Sequence, residues 1–388
     1  MMHYFHMTVV AIISSLPFPA VSLPAISPGG RLLLDTIFRA GSISQAELSR
    51  SLGLAQPTVA RLLSGFSEAG LITLTGRSAG RRGHPSADAS IAADALFTLG
   101  IALLGDRLSV LLLDAAGSTR GLRCMTHHGA DRAGMIAGIT AMRDELLAYA
   151  GVPADRLLGA GMAVSAFFTD MPGMIVGPPA LEAWTLVDFV PELEAALELP
   201  VTIENDGAAA AIAEARFGVG RDVRDFAYLH LTNGFGGAIV NDGKLFRGHR
   251  GNAGEFGGIW TVTGAGYPSL DRLLQTIRDA GGQCASVEAM DSIDPDTPGV
   301  ARWLDEAVPA FSSLCAILGY ALDPGAIVLG GRLPPAIADL LLSRITPPRA
   351  ANRHGLAPPV PILRRAVVDG DPVALGAALI PLTRALLA

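Results

Sequence analysis

Three carboxylates and an amide, Glu204, Asn205, Asp206 and Glu255, stand where the chain suits contact with a polar ligand. Val201, Thr202 and Ile203 are β-formers leading into Glu204-Asn205-Asp206, which puts the acidic and amide cluster at the end of a strand. Ligands of open α/β sheets bind at such strand ends. Gly234, Gly236 and Gly237 let backbone approach a ligand closely, and Thr232 and Asn233 add polar groups to the same turn. Glu255 is flanked by Gly254 and Gly257, which leave it accessible. The elements that must position these groups follow in order. They are an Ala-rich helix from Ala208 to Phe217, a strand from Phe226 to Leu231, and two more strands joined by an Asn241-Asp242-Gly243 hairpin turn. These residues alone specify an α/β ligand-binding domain.

The blocks E-N-D, T-N-G-F-G-G, N-D-G-K-L-F-R-G and G-N-A-G-E-F-G, in this order, resemble the ROK family of sugar kinases and repressors. The resemblance implies an α/β body of two lobes with the actin-like, hexokinase-like (ribonuclease H-like) fold. It implies sugar binding by Asn205, Asp206 and Glu255, with Asp206 the catalytic base where a kinase acts. It also puts ATP phosphates at Thr232, Gly234 and Gly236, and adenosine at Gly330 and Gly331 of Ala326-Ile327-Val328-Leu329-Gly330-Gly331. Leu181-Glu182-Ala183-Trp184 matches an L-x-x-W pattern whose Trp184 fits either packing or a sugar platform.

Departures from the family pattern are specific. The first phosphate motif, G-I-D-x-G-G-T, reads G-I-A-L-L-G-D, so Ala102 replaces the Asp expected near metal and phosphates. A Gly-Pro loop expected after Ser165 is the bulkier Ala166-Phe167-Phe168. Gly258 replaces a metal-binding His, and Ile259 to Pro268 has no cysteine where a zinc loop is expected. Asp271 of Ser269-Leu270-Asp271 aligns with the family's remaining sugar-binding carboxylate. The expectation is a chain with no zinc, no resident cofactor and only vestigial nucleotide-binding residues.

Residues 30–86 read as a winged helix-turn-helix ahead of a body at 87–388, with residues 1–29 a disordered leader. Leu33, Leu34, Ile37 and Phe38 share one helical face; Ser44 with Glu47 forms a capping box; and Pro57 suits the first turn of a third helix running to about Ala69. The spacing is that of a helix-turn-helix, though ordinary helical hairpins share it. Leu71 to Leu74 and a basic loop follow. This region also resembles the N-terminal domain of ROK repressors, with Ala55 where a capping Ser is usual. On this reading Gln56, Thr58 and Arg61 face the major groove, and Arg77, Arg81 and Arg82 a phosphate or narrow minor groove.

Charge agrees with a basic module on an acidic body. The net charge is -7, yet residues 31–86 carry seven Arg against three acids, which leaves -11 for the remainder. The apolar run Val9 to Ile13 lacks preceding Lys or Arg and is too short to span a bilayer. Cys124, Cys284 and Cys315 are far apart, as in a reduced cytoplasmic protein with buried thiols. Together with the resemblance, these features predict a cytoplasmic, homodimeric or higher-order regulator that binds operator DNA and a sugar or sugar derivative, without kinase activity. An ATP-dependent sugar kinase with an attached DNA-binding domain, and a regulator answering to a protein partner, are the alternatives.

Overall fold

A computed structural model describes residues 23–76, 87–127, 129, 131–264 and 266–388. The chain divides into two compact units. One holds the residues up to Val164 together with Val187–Glu204 and Ala374–Ala388; the other holds Ser165–Leu186 and Asn205–Val373.

In the first unit, helices Pro28–Ala40, Gln45–Leu52 and Gln56–Glu68 precede strand Ile72–Thr75. Ser27 caps the first helix and Pro28 occupies its first turn, so it begins five residues before Leu33, the first residue of the apolar stripe that marks it in the sequence. The Ser44–Glu47 capping box opens the second helix, and Gly53 in the left-handed region closes it. Leu33, Leu34, Ile37, Leu48, Val59 and Leu63 are buried together as a small apolar core. Strand Asp88–Ile91 pairs antiparallel with both Ile72–Thr75 and Ile43–Ser44, which makes the base of the wing.

The same unit contains a five-stranded sheet in the order Val201–Asn205, Leu157–Val164, Phe97–Leu103, Arg107–Asp114, Thr119–Thr126. Phe97–Leu103 is buried along its whole length, as a central strand covered on both faces must be. The closing helix Pro372–Leu386 lies against it: Thr98 donates to the Ala378 carbonyl at 2.9 Å. Cys124 lies exposed on the edge strand Thr119–Thr126, which corrects the expectation of buried thiols; all three cysteines are free.

The second unit is built on a sheet ordered Lys244–Phe246, Phe235–Asn241, Phe226–Leu231, Ala326–Gly331, Ile362–Arg365. The last three strands are parallel and the first two join by the Asn241-Asp242-Gly243 turn, in which Asp242 and Gly243 both have positive φ. Helices Leu270–Asp279, Val300–Leu322 and Pro335–Arg344 contribute to its core with Phe235, Trp260, Trp303 and Phe311. Helix Asp206–Phe217 opens directly from strand Val201–Asn205. No helix among the described residues is long and apolar enough to cross a membrane.

Candidate functional site

The helix Gln56–Glu68 buries Val59, Leu63 and Phe66 and turns Gln56, Pro57, Ala60, Arg61 and Ser64 to solvent. Its N-terminus has no side-chain cap at Ala55, as the sequence implies; instead Gln45 of the preceding helix reaches the Gln56 carbonyl at 3.2 Å. Thr58 is half-buried, which leaves Gln56 and Arg61 as the accessible hydrogen-bonding side chains among the three assigned to the major groove. Arg77, Arg81 and Arg82 lie outside the described residues.

In the second unit the polar cluster is assembled at a helix start. Asn205 is the N-cap of helix Asp206–Phe217: its side-chain oxygen accepts from the Ala208 amide at 3.0 Å, while its Nδ2 donates to the Ala166 carbonyl at 3.0 Å. Asp206 follows in the first turn, where the helix dipole favours a carboxylate. Its Oδ1 accepts from the Gly207 amide at 2.8 Å, and its Oδ2 accepts from the Ser165 hydroxyl.

Glu255 is carried to this cluster by close backbone packing. Gly254 has a φ of 109°, and a Cβ there would sit 2.5 Å from the Gly237 carbonyl. Gly237 in turn admits the Phe256 ring, whose Cδ2 would be 2.6 Å from a Cβ. Only glycine at these two positions lets the Gly254-Glu255-Phe256 turn lie on strand Phe235–Asn241. The Glu255 carboxylate stays open to solvent, yet partial burial and then the nearby Asp206 charge push its pKa up to about 7. Near neutral pH Glu255 can therefore carry a proton and donate a hydrogen bond as well as accept one.

His230 joins them and was not singled out in the sequence. It is 3% exposed, both ring nitrogens lack a hydrogen-bond partner among the described residues, and Nε2 lies 3.8 Å from Asp206 Oδ2. Burial holds its pKa down against the opposing pull of Asp206 and Asp371, with Arg332 adding to the lowering, so the ring is neutral. Its strand partners are Gly236 and Gly330, and its Cβ would lie 3.1 Å from a Cβ on Gly207 in the first turn of helix Asp206–Phe217. A lone His within the apolar run Phe226 to Leu231 is the signal the sequence carries for it.

Asp271 is carried by a different element from Asp206 and Glu255. It lies in the first turn of Leu270–Asp279, receives a long 3.5 Å hydrogen bond from Asn233, and is raised in pKa by burial and by Glu288. At the glycine-rich turn, the Thr232 amide donates to the Gly234 carbonyl at 3.0 Å. The Tyr267 hydroxyl accepts from the Phe235 amide at 2.8 Å and donates to the Phe235 carbonyl at 3.1 Å, so those backbone groups already have a partner. Gly330 has a packing reason to be glycine: a Cβ there would lie 2.8 Å from Cε2 of the buried Tyr228. Gly331 abuts the Leu231 backbone in the same way. Trp184 is 1% exposed and is therefore a packing residue, closing the sugar-platform reading.

The ROK family pattern matches residues 98–286, and a winged helix-turn-helix DNA-binding pattern matches residues 30–73. A beta-glucoside kinase of Listeria innocua is 31% identical over 203 residues, 46% of this chain and 68% of that protein. The chain belongs to the ROK family. A xylose repressor of Caldicellulosiruptor bescii is 27% identical over 227 residues, which cover 58% of this ROK chain and 57% of the repressor. The crystal structure of a ROK family transcriptional regulator, a homologue of an E. coli MLC protein, superimposes with a TM-score of 0.66. It is 23% identical and covers 92% of this chain and 95% of its own. The fold is thus a winged helix-turn-helix joined to the two-lobed hexokinase-like body of ROK proteins.

Proposed function

We propose that this chain is a transcription regulator whose winged helix binds operator DNA as a homodimer in the cytoplasm, and whose second lobe senses a saccharide. The single observation that carries this reading is the joining, in one chain, of a helix-turn-helix with accessible Gln56 and Arg61 to a ROK body that keeps Asn205, Asp206 and Glu255 at one helix start. The likeness to a xylose repressor supports it. A buried or crowded carboxylate left unpaired by the wrong hydroxyl pattern is costly, so these groups would select among polyols. A ligand that binds one arrangement of the protein better than another then changes DNA affinity through that difference.

Sugar phosphorylation is the second reading. It is favoured by Asp206, which is held by Ser165 and the Gly207 amide in a position to take a hydroxyl proton. Two features weigh against it. Ala102 is fully buried in an apolar strand and offers no oxygen to a metal, and Tyr267 occupies the Phe235 backbone groups of the turn that would cradle phosphate. Saccharide-dependent ADP release should therefore not exceed that of Asp206→Ala; turnover well above this control would establish the kinase reading.

The DNA assignment is tested by selecting binding duplexes from a random pool and titrating them by gel shift. Changing Arg61 or Gln56 to Ala is expected to weaken the selected sequence by about 1–3 kcal/mol while leaving unrelated sequences nearly unaffected. Equal weakening on every sequence would remove these side chains from base readout.

A further inference from the structure

Arg31, near the start of helix Pro28–Ala40, donates from Nη1 to the Arg384 carbonyl at 2.6 Å. Arg384 lies in the last turn of the closing helix Pro372–Leu386. The final carbonyls of a helix have no partner within it, and a guanidinium is well suited to meet them. The Arg384 side chain in turn donates from Nη1 to the Thr202 hydroxyl at 2.6 Å. Thr202 stands three residues before Asn205 on strand Val201–Asn205, which runs straight into Asp206. One arginine therefore meets the helix-turn-helix through its carbonyl and, through its guanidinium, the strand that ends in the acidic cluster.

The other end of the closing helix leads back to the same cluster. Helix Asp206–Phe217 carries Glu214, which is fully buried. Its Oε1 accepts from the Val367 and Val368 amides, each at 2.7 Å, and its Oε2 from the Val219 amide at 2.9 Å. A buried carboxylate with three amide donors is a firm fixture, because losing any one leaves a buried charge short of a partner. The segment it grips runs on directly into Pro372, the first residue of the closing helix. Along the helix, the Ala374, Ala377 and Ala378 backbone lies against Gly100 and Gly161, where not even a Cβ would fit. Such packing does not deform gradually, so the helix shifts as one body.

We infer that the closing helix is the lever by which the saccharide site acts on the winged helix, with Arg384 the positioning residue at the DNA-binding end. A ligand on Asn205 and Asp206 bears on the end of one element that grips this helix and on the start of the other. Displacement of either moves the Arg384 carbonyl to which Arg31 is bound, and the helix-turn-helix is presented to DNA in a different arrangement. This inference rests on the sensing reading and names the route by which its signal leaves the site. Leu382, Leu386 and Leu387 are buried around the same last turn, so the turn stays anchored when the exposed Arg384 side chain is replaced.

Full-length wild type, Arg31→Met, Arg384→Met and Thr202→Val, titrated calorimetrically with glucose, xylose and N-acetylglucosamine, provide the test. Fluorescence anisotropy on a duplex selected for tight binding then follows each protein with and without the sugar that binds. The wild-type midpoint is expected to shift by at least about fivefold. In each variant the sugar should bind within about twofold of its wild-type affinity, a difference well under 1 kcal/mol, which also shows that the body is folded. The midpoints with and without sugar should nevertheless coincide. Arg31→Met/Thr202→Val should look no different from either single change, because both break one route. Arg123→Met, which loses an ion pair with Glu145 in the same unit, should stay coupled like the wild type. A wild-type-sized shift in Arg31→Met or Thr202→Val, or a sugar affinity lost together with the contact, would overturn the lever and leave the sensing reading standing. Sugar binding that moves no wild-type midpoint, or binding of none of the three sugars, would remove both.

Discussion

Replacing Gly161 with Ala is expected to lower the melting temperature by roughly 6–12 °C, the shift that about 3 kcal/mol gives in a unit of this size. Gly161 lies in the interior strand Leu157–Val164, and a Cβ there would be 2.7 Å from the Ala377 carbonyl carbon of the closing helix. Gly100 on the neighbouring strand meets the same helix, with its would-be Cβ 2.8 Å from the Ala378 amide and 2.9 Å from the Ala374 carbonyl carbon. The obstructing atoms are backbone, so no rotamer change relieves them and the helix itself must move. The neighbouring helix positions are Ala374, Ala377 and Ala378, all buried, so the contact is between small residues on both sides. Gly258→Ala serves as the control, because a Cβ there meets nothing within 4 Å. Scanning calorimetry that finds Gly161→Ala as stable as the control would refute this account of how the first unit is closed.

Glu255→Gln is expected to have the other large effect, on binding and on pH dependence together. Loss of a charged hydrogen-bond partner should weaken saccharide affinity by roughly 10–100-fold at pH 8, where the wild-type carboxylate is ionised. The stability effect has the opposite sign. Burial and Asp206 raise the Glu255 pKa from its ordinary 4.5 to about 7, so between those values the folded protein holds a proton that the unfolded chain has released. Stability contributed by this residue is therefore highest below pH 4.5, falls as pH rises through about 7, and stays low above it. Glu255→Gln removes that loss, and its advantage over wild type in denaturant melts should grow across this window and level off. An advantage that is flat from pH 4.5 to 8 would show that the carboxylate has its ordinary proton affinity.

Much of the fold was legible because local chemistry agreed with the tertiary outcome. The Ser44–Glu47 capping box, the Asn241-Asp242-Gly243 turn and the uncapped start at Ala55 appear in the structure as the residues indicate. Helix Val300–Leu322 buries Trp303, Leu304, Phe311 and Leu314 at the spacing of one helical face. The site was legible in its residue types and less so in their arrangement. Asn205 read as a ligand group, but its position at the helix start also makes it a cap. Asp271 was placed with the sugar-binding acids by alignment across a shortened loop; it lies in the first turn of Leu270–Asp279, beside Asn233 of the glycine-rich turn. His230 and Tyr267 were missed because neither belongs to a motif: one is identified by its burial 3.8 Å from Asp206, the other by a hydroxyl that meets Phe235 from 32 residues away.

The coupling of ligand to DNA is the central claim, and fluorescence anisotropy on a duplex selected for tight binding measures it most directly. With the calorimetrically identified saccharide at saturation, the wild-type midpoint is predicted to shift by at least about fivefold, the lower range of allosteric coupling. The same titration of Glu255→Gln, which retains the helix-turn-helix, should start at the wild-type midpoint and stay there at that ligand concentration. A wild-type midpoint unchanged by saturating ligand would contradict the account, because the body would then bind its ligand without informing the DNA-binding domain.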